Sequence, residues 1–244
     1  MRFMVMHKVD ANMEAGGPPS PHIIQSMGAL VQESLKNGSF TTGAGLHRSA
    51  RRARIEPEGG SVRVTRGPYT GKNELLSSFA MIRAGSLDEA IERARELSRV
   101  LGDAEIEVGP VVEPWDLGVM PKPEGVTHGR FLLLCKGDRG TESGLEPSPE
   151  RRAALERLLG ALKQEGVLLL ADRLAPSAGG ARLTPGPAGK RTWVDGPFAE
   201  SKELIAGFSI LELPSRADAI AWAERYAAIL TLNEIDVREL VSRP

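Results

Sequence analysis

The sequence predicts an α+β chain made of two copies of one module, packed sheet against sheet. Three observations predict it. The chain repeats itself, each copy carries the same order of strand and helix signals, and the strands are apolar on both faces.

At an offset of 128 residues, Phe3 aligns with Phe131, Lys8 with Lys136, Asp10 with Asp138 and Glu14 with Glu142. Ser20-Pro21 and Gly38 then meet Ser148-Pro149 and Gly166. A single insertion moves the offset to 129, where Gly67-Pro68-Tyr69 meets Gly196-Pro197-Phe198, Phe79 meets Phe208 and Ser86 meets Ser215. So many identities with one gap mark a duplication. The period is too long for a solenoid unit and suits a small domain. The copies span residues 1–113 and 129–244, joined by a linker over 114–128 whose prolines and glycines favour an extended connection.

Each copy opens with an apolar strand, residues 2–8 and 130–136. A segment rich in Gly, Pro and acid follows, then a helix with Ser20 or Ser148 at its N-cap and Pro21 or Pro149 in its first position. Ile23, Met27, Leu30, Val31 and Leu35 recur at helical spacing, as do Leu155, Leu158, Leu159 and Leu162; Gly38 and Gly166 supply the stops. Strands are expected near 39–43 and 167–171, polar hairpins near 51–66 and 180–195, and further strands through Phe79–Ile82 and Phe208–Leu211. Ser86-x-x-Glu89 and Ser215-x-x-Asp218 open the second helices. Last come strands at 105–108 and 234–237. The order β-α-β-(hairpin)-β-α-β is the split βαβ, or ferredoxin-like, arrangement.

A sheet with helices on one face and water on the other alternates apolar and polar residues. Phe3-Met4-Val5-Met6 and Phe131-Leu132-Leu133-Leu134 do not alternate, so each sheet must bury its second face too. Each large side chain buried there contributes about 1.5–3 kcal/mol. The other copy is the nearest cover, which makes the chain an intrachain pseudo-dimer; the alternative is two separate domains that each pair with another chain.

Composition narrows the function classes. With 41% hydrophobic and 26% charged residues the chain is globular in type, and a formal charge of -1 lacks the cationic excess of nucleic-acid or membrane-surface binders. The single cysteine, Cys135, forms no intrachain disulfide and sits among apolar neighbours. No apolar run spans a bilayer and the N-terminal segment is not a signal peptide, so the expected location is cytoplasmic. Neither a metal nor a cofactor is expected, because no His/Cys/acid spacing fits a metal site and the Gly-rich stretches fit no phosphate-binding fingerprint. His47-Arg48-x-x-Arg51-Arg52-x-Arg54 is the one basic cluster and is expected to be a solvated edge hairpin.

The run Asp195-Gly196-Pro197-Phe198-Ala199-Glu200-Ser201-Lys202-Glu203 resembles the signature of the DGPF branch of the YCII-related family. Gly166-Val167-Leu168 and Glu234-Ile235-Asp236-Val237 fit the same pattern, and the resemblance covers nearly the whole chain. It implies a ferredoxin-like fold paired as a dimeric α/β barrel, with clefts beside the sheet-sheet interface. It implies little about activity, although many bacterial members are encoded near sigma factors, which makes a sigma factor a candidate partner. Two departures stand out: the first copy replaces the signature aspartate with Arg66, and the His–Asp pair of the YciI branch is absent, the histidine's place being held by Met27 and, in the second copy, Leu155, and no acid following Gly43-Ala44-Gly45-Leu46.

Two sets of residues are candidate ligand-binding groups. Asp195 with Lys202 or Glu203 either faces a cleft or simply builds a sharp turn with Gly196 and Pro197. Lys8, Asp10 and Glu14, with Lys136, Asp138 and Glu142, follow the end of an apolar strand, where they are either a polar site or solvated caps. His7 alternates with Val5 and Phe3 and is expected to be a buried structural residue rather than a base. The leading expectation is a small molecule bound at the pseudo-dimer interface. The alternatives are a metal-independent isomerase or lyase, and a non-catalytic interaction protein.

Overall fold

A computed structural model describes residues 1–72, 75–186, 190–198, 204–232 and 234–241. The first half runs β1 (Arg2–Lys8), α1 (Ala11–Ala15), α2 (Pro21–Lys36), β2 (Phe40–Gly45), β3 (Ala53–Glu58), β4 (Ser61–Arg66), β5 (Leu76–Ala84), α3 (Leu87–Val100) and β6 (Ile106–Pro110). The second repeats it: β7 (Gly129–Lys136), α4 (Arg139–Glu142), α5 (Pro149–Gln164), β8 (Leu168–Arg173), β9 (Ala181–Pro185), β10 (Arg191–Asp195), β11 (Ile205–Glu212), α6 (Arg216–Leu230) and β12 (Ile235–Glu239). Single 3-10 turns at Ser49–Arg51 and Ser177–Gly179 precede β3 and β9.

Local signals act as expected at the helix starts. Ser20 Oγ accepts the Ile23 N–H and Ser148 Oγ accepts the Arg151 N–H, each at 3.3 Å, with proline in the first turn. Ser86 and Ser215 cap α3 and α6 by accepting the N–H groups of Glu89 (3.1 Å) and Asp218 (3.2 Å). The chain turns after α2 and α5 through Gly38 and Gly166, both at positive φ. One expected core position moves: Leu35 is exposed, and the face of α2 that meets α6 buries Leu30 and Ser34 instead. Trp222 of α6 carries a polar indole N–H into that contact, and the Ser34 hydroxyl accepts it at 2.9 Å.

The twelve strands form two six-stranded antiparallel sheets, in the orders β10-β9-β12-β1-β11-β2 and β4-β3-β6-β7-β5-β8. Neither sheet belongs to one copy. β1 lies between β11 and β12 of the second half, with Phe3 opposite Leu211 and Glu239. Reciprocally, β7 lies between β5 and β6 of the first half, with Leu133 opposite Ala80 and Val108. The chain therefore crosses from one sheet to the other twice, through residues 46–52 and 174–180. The sequence units 1–113 and 129–244 exchange their opening β-α-β segments in space.

The both-sided apolar character of the strands has a direct structural meaning. On β1, Phe3 and Val5 face a core shared with α2 and α6, whereas Met4 and Met6 face the opposite way. On β7, Phe131 and Leu133 pack towards α3 and α5, whereas Leu132 and Leu134 join Met4 and Met6. This third core also holds Phe79, Met81, Phe208 and Ile210, and the rings of Phe79 and Phe208 meet across it at 6.1 Å between centroids. The order of layers is helices, sheet, sheet, helices. Among the described residues no helix is long and apolar enough to cross a membrane.

Candidate functional site

Both crossings are built alike. After β1, Asp10 accepts the Met13 N–H at 2.7 Å and so starts α1, which brings Glu14 to the first crossing. There the Glu14 carboxylate accepts the backbone N–H of Ser49 at 3.1 Å and the Ser49 hydroxyl proton. After β7, Asp138 forms a capping box with Thr141 and starts α4, and Glu142 accepts the Ser177 N–H at 2.9 Å. Ser49 Oγ in turn accepts the Tyr69 N–H, and Ser177 Oγ the Phe198 N–H. Gly67 and Gly196 complete the arrangement, because a Cβ on either would overlap the carbonyl of Ser49 or Ser177. The recurring Gly-Pro-aromatic motif is thus a clasp on the crossing, and only glycine fits its first position.

Behind each clasp lies a buried ion cluster that joins the two halves. Lys8 Nζ is 3.2 Å from Asp236, which also takes two bonds from Arg182 at 2.5 and 2.9 Å. Lys136 Nζ is 3.7 Å from Glu107, which Arg52 holds at 2.9 Å and Arg54 flanks at 3.7 Å. Burial pushes the carboxyls of Asp236 and Glu107 up, but Lys8 with Arg182, and Lys136 with Arg52, outweigh it and keep both ionised. Arg54 lies over the Tyr69 ring and Arg182 over the Phe198 ring, each at 4.4 Å. Arg52 and Arg54 are therefore buried, not part of a solvated hairpin; of the basic run only Arg48 and Arg51 are exposed.

A guanidinium pins the sheets together at each crossing, and it comes from a different strand each time. Arg52, just before β3, donates to Ile205 O in the other sheet at 2.8 Å. The repeat places Gly180 where Arg52 would recur. Its role passes to Arg238 on β12, which donates to Ala175 O and reaches Leu76 O, the equivalent of Ile205 O, at 3.4 Å. The equivalent of Arg238 is Gly109, and a Cβ there would press on Arg52 at 3.2 Å; a Cβ on Gly180 would press on Arg238 at 2.9 Å. Each site has room for one arginine.

The remaining predicted residues fall elsewhere. Asp195 is exposed and pairs with Arg216 at the start of α6; in the first half Arg66 pairs with Asp88 of α3, so the sign of this surface pair is inverted between copies. Lys202 and Glu203 lie outside the described residues. His7 is buried, and its Nδ1 lies 2.8 Å from the Tyr226 hydroxyl. Burial, then the Arg52 charge, lowers its pKa to about 4, so it is neutral. Cys135 is buried, which pushes its thiol up to about 11 and leaves it without thiolate character.

None of the eight described candidate residues lines the linker cleft. This cleft, of about 470 Å³, opens where the linker folds over the start of β7, the end of β6 and the first crossing. Its size lies in the range of small-molecule sites, roughly 300–1,000 Å³. Trp115, Leu87, Val111 and Phe131 supply apolar wall, and His47, Arg51, Lys122 and His128 supply polar groups. His47 Nε2 is 3.2 Å from Asp116 of the linker, and Arg51 Nη1 lies 3.1 Å from His47 Nδ1 and 3.2 Å from Nε2. Burial, then Arg51, holds His47 below its ordinary range, with Asp116 opposing. A second opening, about 510 Å³ around Ser39 and Glu212, has Glu212 as its one ionisable side chain. The repeated residues do not point to the linker cleft, because the linker lies outside the repeated units. The one available signal was the opposite of repetition: Glu113, Trp115 and Asp116 clustered in a segment otherwise rich in Pro and Gly.

Fold and site together define a duplicated α+β protein with exchanged strands, two sealed ion clusters and one linker-roofed cleft. The chain belongs to the YCII-related family, whose domain matches it twice, over residues 1–114 and 130–241. An uncharacterized protein of Rhizobium meliloti (strain 1021) is 31% identical over 97 residues, which cover 38% of this chain and 76% of that protein. No solved structure matches the chain.

Proposed function

We propose that this YCII-related protein is a pseudo-dimer of the dimeric α/β-barrel type, built from two ferredoxin-like modules, and that it binds a small molecule in the linker cleft. The observation that carries the binding reading is the cleft itself: polar side chains from the linker and the first crossing converge over an apolar wall. The two buried ion clusters do not compete as sites, because their acids are sealed by Lys and Arg partners. A second reading, an isomerase or lyase, draws on the His47–Asp116 bond, since a neutral imidazole oriented by a carboxylate has the arrangement of a general base.

A thermal-shift screen against metabolites tests the binding reading. A ligand at about 100 times its Kd stabilises the native state by about 2.7 kcal/mol. Val126 lines the cleft. Val126→Trp fills it and is expected to abolish the shift of every true ligand. Hits that stabilise the filled variant equally would place binding elsewhere and overturn this reading.

A further inference from the structure

Resting on that reading, we infer that the ligand of the linker cleft is a small organic anion with an apolar body, and that its binding draws a proton onto His47. Four observations lead there.

The acids of the cleft are already occupied. Both oxygens of Glu113 are taken by Arg130, at 2.9 and 2.6 Å. Asp116 Oδ2 accepts the Glu113 backbone N–H at 2.9 Å and faces His47 Nε2. The cations are not neutralised. Among the described residues, neither Arg51 nor Lys122 has a carboxylate partner. With Glu113 neutralised by Arg130, the two cations outnumber the one remaining acid, Asp116, and the cleft attracts a negative ligand.

His47 sits between one group of each kind. With Asp116 on Nε2, that nitrogen carries the hydrogen and Nδ1 is left as an acceptor. Arg51 Nη1 lies 3.1 Å from Nδ1 and 3.2 Å from Nε2, over the ring between the two nitrogens rather than in line with either. Burial and then this adjacent guanidinium charge disfavour a second ring proton, so the ring stays neutral while Arg51 lies against it. An anion that engages Arg51 draws the guanidinium charge away from the ring. The ring then gains a proton from solvent and donates Nδ1–H to the anion, with Asp116 stabilising the imidazolium. The Arg52 charge also opposes a ring proton, but it is compensated by Glu107. Arg52 donates its Nε–H to the His47 carbonyl at 2.5 Å and its other bonds run to Glu107 and Ile205, while β6 presents only the Pro110 carbonyl, which accepts the His47 N–H at 3.1 Å. Lys122 and His128 line the same cleft and add to the attraction for an anion. By linkage, a ligand that raises proton affinity must itself bind more tightly as protons become more abundant.

Benzoate and its neutral isostere benzamide separate the possibilities, followed by NMR at the Trp115 indole N–H and the His47 ring. At about pH 5.5, benzoate should bind about tenfold more tightly than benzamide or better, and at about pH 8 its affinity should fall about fivefold or more. Arg51 is exposed, so Arg51→Ala should fold normally and erase the preference for benzoate, while Arg51→Lys should keep part of it. His47→Gln can still donate to Asp116 and should keep the preference but lose its pH dependence. Equal binding of benzoate and benzamide at Trp115 would sink the anion inference and leave small-molecule binding standing. A benzoate preference indifferent to pH, or unchanged in His47→Gln, would sink proton uptake. If neither compound perturbs Trp115, the inference and the binding reading both fall.

Discussion

At the scale of single residues, buried ionisable groups act on stability in opposite senses. His7 is held neutral in a packed site against Tyr226, with its pKa lowered to about 4 from an ordinary value near 6.5. The unfolded chain therefore binds a proton that the native state refuses. Stability from this group is complete above about pH 6.5 and is lost as pH falls towards about 4, up to about 3 kcal/mol. His7→Gln keeps an acceptor for the Tyr226 hydroxyl and is expected to flatten that fall, measured by urea unfolding at about pH 7 and about pH 4.5. An unchanged slope would show that His7 already carries its proton in the native state. Asp236 and Glu107 act in the other direction, since their folded pKa values are depressed. Their contribution is present above the unfolded carboxyl range near pH 4 and drains away only as pH drops through the lower folded values. The two windows barely overlap, so the histidine can be read without the acids.

At the scale of elements, what the sequence could state was whatever depends on near neighbours. Ser20-Pro21, Ser86-x-x-Glu89 and their repeats are local hydrogen-bond devices, and they start helices where expected. Asp10 and Asp138 are local too, but α1 and α4 are short and lack an apolar stripe, so a Gly- and Pro-rich stretch concealed them. The crossing pins were illegible because each joins residues far apart in the chain, Arg52 to Ile205 and Arg238 to Leu76. In hindsight the trace is there: arginine and glycine trade places between Arg52/Gly109 and Gly180/Arg238. This trade predicts a coupled pair. Arg52→Gly should destabilise by leaving Glu107 short of a partner, and Gly109→Arg should destabilise by crowding Arg52. The double variant rebuilds the second half's solution in the first, and a recovery of about 0.5–3 kcal/mol relative to the summed singles is expected from a double-mutant cycle. Strict additivity would mean that the two positions do not share one space.

At the scale of the whole molecule, repetition was plain in the sequence and its spatial consequence was not. Non-alternating strands correctly demanded a partner on each face, and Met4, Met6, Leu132 and Leu134 meet in one core as that demand requires. Which copy supplies a neighbouring strand is a separate matter. Lys8 finds the same charge at the same register on Asp236 as it would on Glu107, so pattern alone cannot separate the pairings. A crosslink can. Arg2 lies opposite Glu212, whereas its alternative partner Arg83 lies opposite Arg130. The double variant Arg2→Cys, Glu212→Cys should oxidise to a single internal disulfide, and Arg2→Cys, Arg83→Cys should not, as judged by peptide mapping without reductant. The reverse outcome would return β1 to its own copy.

Two separate identical chains must answer both of their equivalent positions with one set of residues, because any substitution is made in duplicate. Here a covalent tether frees each position to vary alone. That freedom is visible where an arginine enters from opposite sides, and where a surface ion pair has reversed its polarity. The tether also adds sequence that the repeat does not copy, and that sequence lies over the first crossing. Substitutions there fall outside both repeated units, so this end of the duplicated plan is free to change without disturbing either sheet.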